Sequence, residues 1–356
     1  MNNMRNPLFL HIPLAEKILF VKHLSIMVKS GTTLLDGIEL LRKQVRSSSF
    51  KYILTSVIQD VKNGQFLSDG LRKFHHVFGE LFINVVKIGE ESGSLSENLT
   101  HLAEELKKKQ QLRAKIRSAF IYPVIVLIAT FGVVGMLIFF VLPKIIPIFT
   151  SMRITLPWTT QLVVTTSQFL IQNGVAVFFG CIVLIVIWIL LLRIRSVRFL
   201  AHRVILILPF VGQISKMANT AEFTRTLGLL LKSGMKIVEA TTITAASVSN
   251  LVFQKALREA AETVRRGESF HTYLALHDHV FYPTVARMIE VGDATGTLEP
   301  NLFYLADFYE SEVDELTKNL STVIEPVLLL VMGGLVGFIA ISIITPIYEI
   351  TQSLSK

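Results

Sequence analysis

The stretch that decides the fold occurs twice, first as Ile88-Gly89-Glu90-Glu91-Ser92-Gly93-Ser94-Leu95. It returns, displaced by 203 positions, as Val291-Gly292-Asp293-Ala294-Thr295-Gly296-Thr297-Leu298. Both copies keep the order apolar residue, glycine, acid, any residue, serine or threonine, glycine, serine or threonine, leucine. Such a correspondence at a fixed displacement indicates a structural unit that is written twice in one chain.

The duplication extends well beyond this motif. Without a gap, residues from about 20 to about 146 (the first repeat) match residues 203 positions further on (the second repeat). The matched pairs include Phe20 with Phe223, Lys29-Ser30-Gly31 with Lys232-Ser233-Gly234, Gly64 with Gly267, Phe78 with Phe281, Pro123 with Pro326, and Pro143 with Pro346. Every other feature of the chain must therefore be interpreted as part of one of two copies.

Each copy of the motif is predicted to form a sharp joint between two helices. Glycine readily takes the left-handed conformation that ends helices, so the arriving helix should stop at Gly89. Ser94 is then the predicted N-cap of the next helix, with Glu97 completing a capping box. In the second copy Thr297 is the cap, and Pro300 falls in the first turn, where its missing N–H costs little.

The joints have two possible roles, which the sequence leaves open. They are either structural corners only, or corners whose acids are exposed and touch a partner, since loops between rigid elements often carry function. The partner-contact candidates are Gly89, Glu90, Glu91, Gly93, Gly292, Asp293 and Gly296.

The composition is that of a membrane protein. The chain has 356 residues, 51% of them hydrophobic, and a mean hydropathy of +0.54, which is too apolar for a soluble protein of this length. In a membrane protein, a net charge of +8 indicates basic cytoplasmic flanks rather than nucleic-acid binding. Cys181, the single cysteine, lies in an apolar run and cannot form an internal disulfide.

Three segments are predicted to span a bilayer, whose apolar core needs about 20 helical residues. They are residues 119–142, 175–192 and 324–348. Basic residues flank the first segment on its N-terminal side and the second on its C-terminal side: Lys107, Lys108, Lys109, Arg113, Lys115, Arg117, Arg193, Arg195, Arg198 and Arg203. Between these two segments lie only Lys144 and Arg153.

The positive-inside rule converts this asymmetry into a topology. The N-terminus, which has no signal peptide, and residues 193–323 should be cytoplasmic, whereas residues 143–174 and 349–356 should lie outside. The second span returns the chain to the cytoplasm, so that the two repeats run parallel. This differs from the inverted repeats of many transporters.

The predicted fold is all-α, with two tandem six-helix cytoplasmic bundles and three transmembrane helices. A short tail, 1–14, precedes the first bundle, 15–118; a basic cytoplasmic linker, 193–217, precedes the second bundle, 218–323. Apolar residues recur at steps of three and four, as amphipathic helices require. The helices predicted in the first bundle are 14–29, 34–44, 49–62, 68–73, 80–88 and one that starts after Ser94 and runs toward the first span.

Two segments that connect the spans and bundles are compatible with more than one structure. Residues 159–172 are uncharged and mildly amphipathic, and form either a plain loop or a helix at the outer membrane interface with Trp158 as its anchor. The basic linker 193–217 is a candidate for a helix along the inner membrane surface.

The sixth helices of the two bundles carry opposite charge. Residues 101–118 hold six basic residues against Glu104 and Glu105, whereas residues 304–321 hold five acidic residues against Lys318. One explanation is topological, since basic residues orient the first span. The other is that the two helices attract one another, within a protomer or across a dimer.

Several classes of function find no support in these residues. A phosphate-binding Gly-x-x-x-x-Gly-Lys-Ser/Thr loop is absent from the sequence. His75, His76, His271, His277 and His279 lack a zinc-binding spacing, so neither a metal nor another cofactor is predicted. A transporter or an intramembrane enzyme needs several ionisable groups within the bilayer, and the spans hold one, Glu325.

The twin all-α units, the two joints and the span entries Tyr122-Pro123 and Glu325-Pro326 resemble the type II secretion F domain family. The resemblance covers residues from about 15 to about 350, nearly the whole chain. This family contains the inner-membrane platform proteins of type II secretion, PilC of type IV pilus systems and ComGB of DNA-uptake competence. Only about a dozen residues precede the first predicted helix, which favours the shorter, competence-type members.

The resemblance implies a non-enzymatic, multi-pass protein of the bacterial inner membrane with a cytoplasmic N-terminus. Its implied partners are a hexameric assembly ATPase, prepilin or pseudopilin subunits, other platform components, further copies of itself and the lipid bilayer, but not nucleic acid directly. The intramembrane contact candidates are Tyr122, Pro123, Glu325 and Pro326. A generic membrane-anchored adaptor remains the main alternative.

Overall fold

The computed structural model describes residues 10–151 and 157–354, and these residues fold into helices joined by short turns without any strand. The predicted all-α class is therefore confirmed. The first repeat contains α1 (Leu14–Lys29), α2 (Leu34–Gln44), α3 (Ser48–Lys62), α4 (Leu67–Arg72), α5 (His75–Phe78), α6 (Glu80–Glu91), α7 (Leu95–Ala119), α8 (Ile121–Met136), a π-helical segment (Leu137–Val141) and α9 (Leu142–Ser151).

The remaining helices comprise the connection and the second repeat. They are α10 (Trp158–Leu191), α11 (Arg195–Ile207), α12 (Val211–Lys232), α13 (Ile237–Ser247), α14 (Leu251–Arg265), α15 (Phe270–Leu276), α16 (Pro283–Thr295) and α17 (Leu298–Leu354). The pairs α2/α13 and α3/α14 start and end at positions that differ by the displacement of the sequence repeat, 203. The repeat in sequence is thus a repeat in structure.

Each bundle is built around three phenylalanines at matching positions. In the first repeat, the ring of Phe50 lies 5.3 Å from Phe20 and 6.3 Å from Phe78, measured between centroids. In the second, Phe281 lies 5.6 Å from both Phe223 and Phe253. All these rings are buried, and edge-to-face packing of this kind adds about 0.5–1.5 kcal/mol per pair to the burial of apolar area.

The helices form two compact units. The first comprises the chain up to Lys115 together with Phe199–Glu315, so both bundles lie in one unit. The second comprises Ile116–Arg198 together with the chain from Leu316, and it carries the most apolar helical stretches. Among the described residues, three helical segments are long and apolar enough to cross a membrane: Leu95–Pro147, Trp158–Leu191 and Leu298–Pro346.

The apolar unit changes the expectation about residues 159–172 and shows that the segment before them is also helical. Residues 142–151 are helical as α9, and residues 159–172 form the first half of the continuous helix α10 rather than a loop or a separate interface helix. Residues 152–156 of this segment lie outside the described part of the chain. No glycine or proline interrupts residues 158–173, so the helix continues from there into the apolar stretch.

The first half of α10 packs against the other apolar helices through small polar side chains. The Thr160 hydroxyl donates to the Ser342 carbonyl at 2.7 Å, and the Ser167 hydroxyl donates to the Ile138 carbonyl at 3.0 Å. Thr160 and Ser167 are seven residues apart and therefore lie on one helical face. Serine and threonine contacts of this type allow helices to approach closely within membranes.

The spans of the two repeats differ at their prolines. In the first repeat a single residue, Phe120, interrupts the helix before α8, and the π-helical segment precedes Pro143. A π-bulge compensates for the hydrogen bond that proline cannot donate. In the second repeat, α17 continues from Leu298 to Leu354 through Pro326 and Pro346.

Candidate functional site

The glycine joints are turns between α6 and α7 and between α16 and α17, but their glycines act differently from the prediction. Gly93 and Gly296, with φ of +70° and +69°, end the arriving helices. The prediction that Gly89 stops its helix is wrong, because α6 continues to Glu91. A Cβ at Gly89 would lie 2.9 Å from the Leu95 Cα, and one at Gly292 would lie equally close to the Leu298 Cα. These two glycines therefore let consecutive helices cross closely.

The acids of the first joint are not equivalent. Glu90, expected on an exposed corner, is half-buried, and its carboxylate accepts backbone N–H groups of Leu67 at 2.6 Å and Ser68 at 2.9 Å. It thereby caps the start of α4, where the helix dipole also favours a negative charge. The neighbouring Glu91 is exposed and lies 3.6 Å from Lys87.

The second joint presents its acid to solvent. Asp293 occupies the position of Glu90, is one methylene shorter, and is exposed. At the matching helix start, the side chain of the N-cap residue Ser269 makes no capping hydrogen bond. The two joints therefore share a backbone path but differ in the chemistry that they expose.

The predicted caps of the departing helices are confirmed in position. Helix α7 begins directly after Ser94, and α17 begins directly after Thr297. The capping box is not formed as predicted. The Ser94 hydroxyl is bonded to Asn98 Nδ2 at 2.8 Å, and the Glu97 carboxylate lies 3.6 Å from His101 Nε2 instead.

Oppositely charged helices of the two repeats meet within the chain. Lys108 Nζ on α7 lies 3.2 Å from Asp307 and 3.5 Å from Glu310 on α17, and Lys115 lies 3.2 Å from Asp314. This geometry supports attraction as an explanation of the charge asymmetry and places it inside one protomer. It does not exclude the topological role, since the same lysines precede the first span.

The centre of this cluster is a residue that the sequence did not single out. Arg225 of α12, only 9% exposed, donates to Asp307 at 2.7 Å and to Glu310 at 3.0 Å, and lies 3.8 Å from Glu105 of α7. Burial opposes the charge on the guanidinium, but the bond to Asp307 and the fields of Glu310 and Glu105 raise its pKa. We call Glu105, Lys108, Arg225, Asp307 and Glu310 the inter-repeat cluster.

Glu105 is the carboxyl group of this cluster without a hydrogen-bonded counterion. Lys108 and Arg225 provide two positive charges, which Asp307 and Glu310 balance. Burial raises the pKa of Glu105 to about 8, although Arg225 and Lys109 act in the opposite direction. At neutral pH this carboxyl group is therefore mostly protonated, which removes the cost of burying a third negative charge.

A second contact runs beside the cluster. Lys109 of α7 forms an ion pair with Glu222 of α12, and both side chains are largely buried. Arg113 Nη2 lies 3.5 Å from the Ser249 hydroxyl, which in turn donates to Glu222 at 3.3 Å. On the other side, a cavity of about 410 Å³ is lined by cluster residues together with Lys107, Lys232 and Phe303. Polar contacts thus join the repeats along α7.

The sequence contained only part of the signal for this site. The asymmetry between α7 and α17 was visible, but Arg225 and Glu222 stand on α12 at the positions of Lys22 and Leu19 in the first repeat. A buried arginine where the first copy has lysine, and a glutamate where it has leucine, are differences that a comparison of the two copies would have found.

The span-entry candidates are placed as follows. Tyr122 is exposed and Pro123 buried at the start of α8, whereas Glu325 and Pro326 are both exposed on α17. In the part of the chain that the structure describes, no three His, Cys, Asp or Glu side chains are grouped so that they could hold a metal ion.

The fold, with two matching helical bundles and three apolar helices, defines a duplicated membrane protein. A model of the family described as "Type II secretion system (T2SS), protein F" matches residues 20–143 and again residues 223–346. These are the two repeats, at the same displacement. The chain belongs to this family, as the resemblance in sequence implied.

The chain is similar over most of its length to proteins named for type IV pilus assembly and to proteins named for type II secretion. It is 35% identical over 342 residues to the "Type IV pilus assembly protein PilC" of Thermus thermophilus, covering 96% of this chain and 84% of that protein. It is 31% identical over 338 residues to the "Type II secretion system protein F" of Vibrio cholerae, covering 95% and 83%.

Proposed function

We propose that the chain is a non-enzymatic platform protein of the bacterial inner membrane, which couples a cytoplasmic assembly ATPase to the insertion of pilin or pseudopilin subunits. The observation that carries the proposal is family membership across both repeats, shared with relatives named for pilus assembly and for secretion. Filament assembly, protein export or DNA uptake would then be the output of one mechanical role.

The structure supports this role through the junction between the repeats. A protein that transmits force needs surfaces that move together, and charged groups buried in a hydrogen-bonded network are costly to separate. The inter-repeat cluster and the Lys109–Glu222 pair bind α7 to both α12 and α17. The two bundles therefore present one surface to partners.

The proposed ATPase contacts are the joints, where the exposed acids are Glu91 and Asp293. Glu90 contributes indirectly, by holding α4 against the first joint. The flanking glycines Gly89, Gly93, Gly292 and Gly296 shape the backbone that presents these acids. This assignment is narrower than the sequence prediction, which treated all three acids alike.

The proposed pilin contacts lie at the span entries, around Tyr122 and Glu325. A carboxylate within or near the apolar part of a bilayer is costly without a partner, so an exposed Glu325 favours contact with another helix. Its simpler role is a carboxylate that reaches the inner interface. Further platform components and additional copies of the chain are the remaining proposed partners.

Complementation tests the function directly. In a strain that lacks the chain, the wild-type gene should restore filament assembly or export, and the assembly ATPase should co-purify with it. Glu91→Lys and Asp293→Lys should weaken co-purification at normal abundance, whereas Glu325→Ala should lose filaments and retain the ATPase. Glu239→Lys, an exposed acid on α13, is the matched control. Normal filaments in the strain without the chain would refute the platform function.

A further inference from the structure

Helix α11 has an exposed apolar row that no described residue covers. Leu200, Val204 and Ile207 are 59%, 48% and 75% exposed. They lie three or four residues apart and therefore form one stripe. The stripe continues into Leu208 and Phe210 beyond the helix end, which are also exposed. Neighbouring exposed apolar side chains rimmed by charged residues are typical of interaction sites.

The opposite side of α11 is anchored to the second bundle. The His202 imidazole accepts the Leu251 backbone N–H at 2.9 Å through Nδ1, at the start of α14. Phe199, Leu206 and His202 are only partly exposed on this side. The helix is thus fixed with its apolar stripe outward.

The corner between α11 and α12 holds that orientation. The two helices meet at 108°, and Phe210 has φ of +60° and ψ of −58°, a backbone conformation that is unfavourable for a bulky residue. A Cβ at Gly212 would lie 2.4 Å from the Leu206 carbonyl oxygen, so only glycine permits this approach.

Covalent connection places α11 close to a membrane span. The apolar helix α10 ends at Leu191 and α11 begins at Arg195. Four Cα–Cα steps reach at most about 15 Å, so the start of α11 lies within that distance of the end of the span. The N-terminal end of α11 is therefore held by the chain itself near the end of the apolar helix α10.

The charge around α11 indicates what kind of surface the helix binds. Arg193, Arg195, Arg198 and Arg203 are exposed, and the sequence contains no aspartate or glutamate between Glu105 and Glu222. Arg203 is three residues from Leu200 and four from Ile207, so it borders the stripe. Arginines beside an apolar stripe suit an anionic bilayer, since they reach phosphate headgroups while the stripe enters the acyl region.

We propose that α11 and the Leu208–Phe210 corner form a membrane-surface anchor that binds anionic phospholipid. The Leu200–Val204–Ile207 stripe lies among the acyl chains, and the arginines contact the headgroups. The anchor sets the second bundle against the membrane independently of the span that follows it. The surface is a lipid contact and needs neither ATPase nor pilin.

Spin-label accessibility tests the anchor in the full-length chain. In a Cys181→Ser background, a nitroxide is attached at Val204→Cys, at Ile207→Cys, or at Lys255→Cys, an exposed control position on α14. The protein is reconstituted in phosphatidylcholine vesicles with or without phosphatidylglycerol. Collision with oxygen, which concentrates in lipid, is compared with collision with an aqueous nickel chelate.

The expected result is oxygen-dominated collision at Val204→Cys and Ile207→Cys, and nickel-dominated collision at Lys255→Cys. Phosphatidylglycerol should deepen the Ile207→Cys label, and Arg195→Gln, Arg198→Gln and Arg203→Gln together should abolish that difference. Nickel-dominated collision at the stripe would overturn the proposal, as would protection from both reagents. Protection from both, with spin–spin broadening that dilution with unlabelled chain removes, would assign the stripe to a second copy.

Discussion

The guanidinium of Arg225 lies 3.8 Å from the carboxyl group of Glu105, and these side chains are only 9% and 5% exposed although they belong to different repeats. Across the repeats, the Lys109–Glu222 ion pair is largely buried, and Lys108 lies 3.2 Å from Asp307 and 3.5 Å from Glu310, so ion pairs join the two bundles within one protomer. The two helical bundles are therefore joined within one compact unit, and the following predictions test that arrangement.

Removal of Arg225 should destabilise the chain strongly. Arg225→Ala removes the positive charge that lies 3.0 Å from the largely buried carboxylate of Glu310, and removing one partner of a buried ion pair costs about 3–5 kcal/mol. Thermal unfolding followed by circular dichroism in detergent should show a much lower midpoint. Arg265→Ala, which breaks an exposed pair with Glu262, should change the midpoint little. Equal effects of the two variants would contradict the central role of Arg225.

Glu105 should make stability depend on pH. Its pKa is about 8 in the folded chain and 4.5 as the ordinary value, so the folded state holds this proton more tightly. The resulting stabilisation is fully present below about pH 4.5 and is lost as pH rises through about 8. The side chain of Glu105→Gln stays neutral at every pH. As pH rises from about 4.5 to about 8, the wild-type chain should therefore lose stability relative to this variant, and the variant's unfolding midpoint should increase relative to that of wild type. A difference that is constant with pH would show that folding does not raise the pKa of Glu105.

Each joint has an inner glycine, Gly89 or Gly292, where the helices cross, and an outer glycine, Gly93 or Gly296, with positive φ. The inner glycines should tolerate substitution by alanine less well than the outer ones. Gly89→Ala places a Cβ against the Leu95 backbone, and overpacking of this kind costs about 1–3 kcal/mol. At Gly93 a Cβ would meet no neighbouring atom. Alanine there only has to adopt the left-handed backbone conformation, which costs about 1–2 kcal/mol. Unfolding midpoints should rank wild type above Gly93→Ala and that above Gly89→Ala, with Gly93→Asn closest to wild type. The reverse order would mean that the helices separate readily at the joint.

The proposed topology is inside, outside, inside, outside. Reporter fusions after Lys73 and after Gly267 should both show cytoplasmic activity, and a fusion after Thr159 should not. The physical basis is the excess of lysine and arginine before the first span and after the second. Cytoplasmic activity of the fusion after Thr159 would overturn the scheme.

Much of the fold could be predicted because it depends on local rules. The outer glycines of the joints, Gly93 and Gly296, take positive φ, and helices start and stop near capping residues and glycines that the sequence displays. The duplication then allowed each boundary to be checked against its copy. Apolar length alone identified the spans, although α10 extends well beyond its apolar half because nothing there breaks a helix.

The candidate site was harder to predict because it depends on distant partners. Gly89 looked like a helix stop, yet close crossing with α7 requires it inside the helix. Glu90 looked like an exposed acid, yet its carboxylate caps α4, more than twenty positions earlier in the chain. Such roles arise from tertiary packing, which periodicity and capping patterns do not contain.

The most direct test of the account is a charge exchange between Lys109 and Glu222, which form an ion pair across the two repeats. Lys109→Glu and Glu222→Lys are made singly and together, and filament assembly and the unfolding midpoint are measured for each chain. Each single change should impair both, because it places two like charges in a largely buried site. The account predicts that the double exchange restores most of the midpoint and of filament assembly. A double exchange as impaired as the sum of its parts, with normal membrane insertion, would contradict the claim that the two bundles depend on each other through this ion pair.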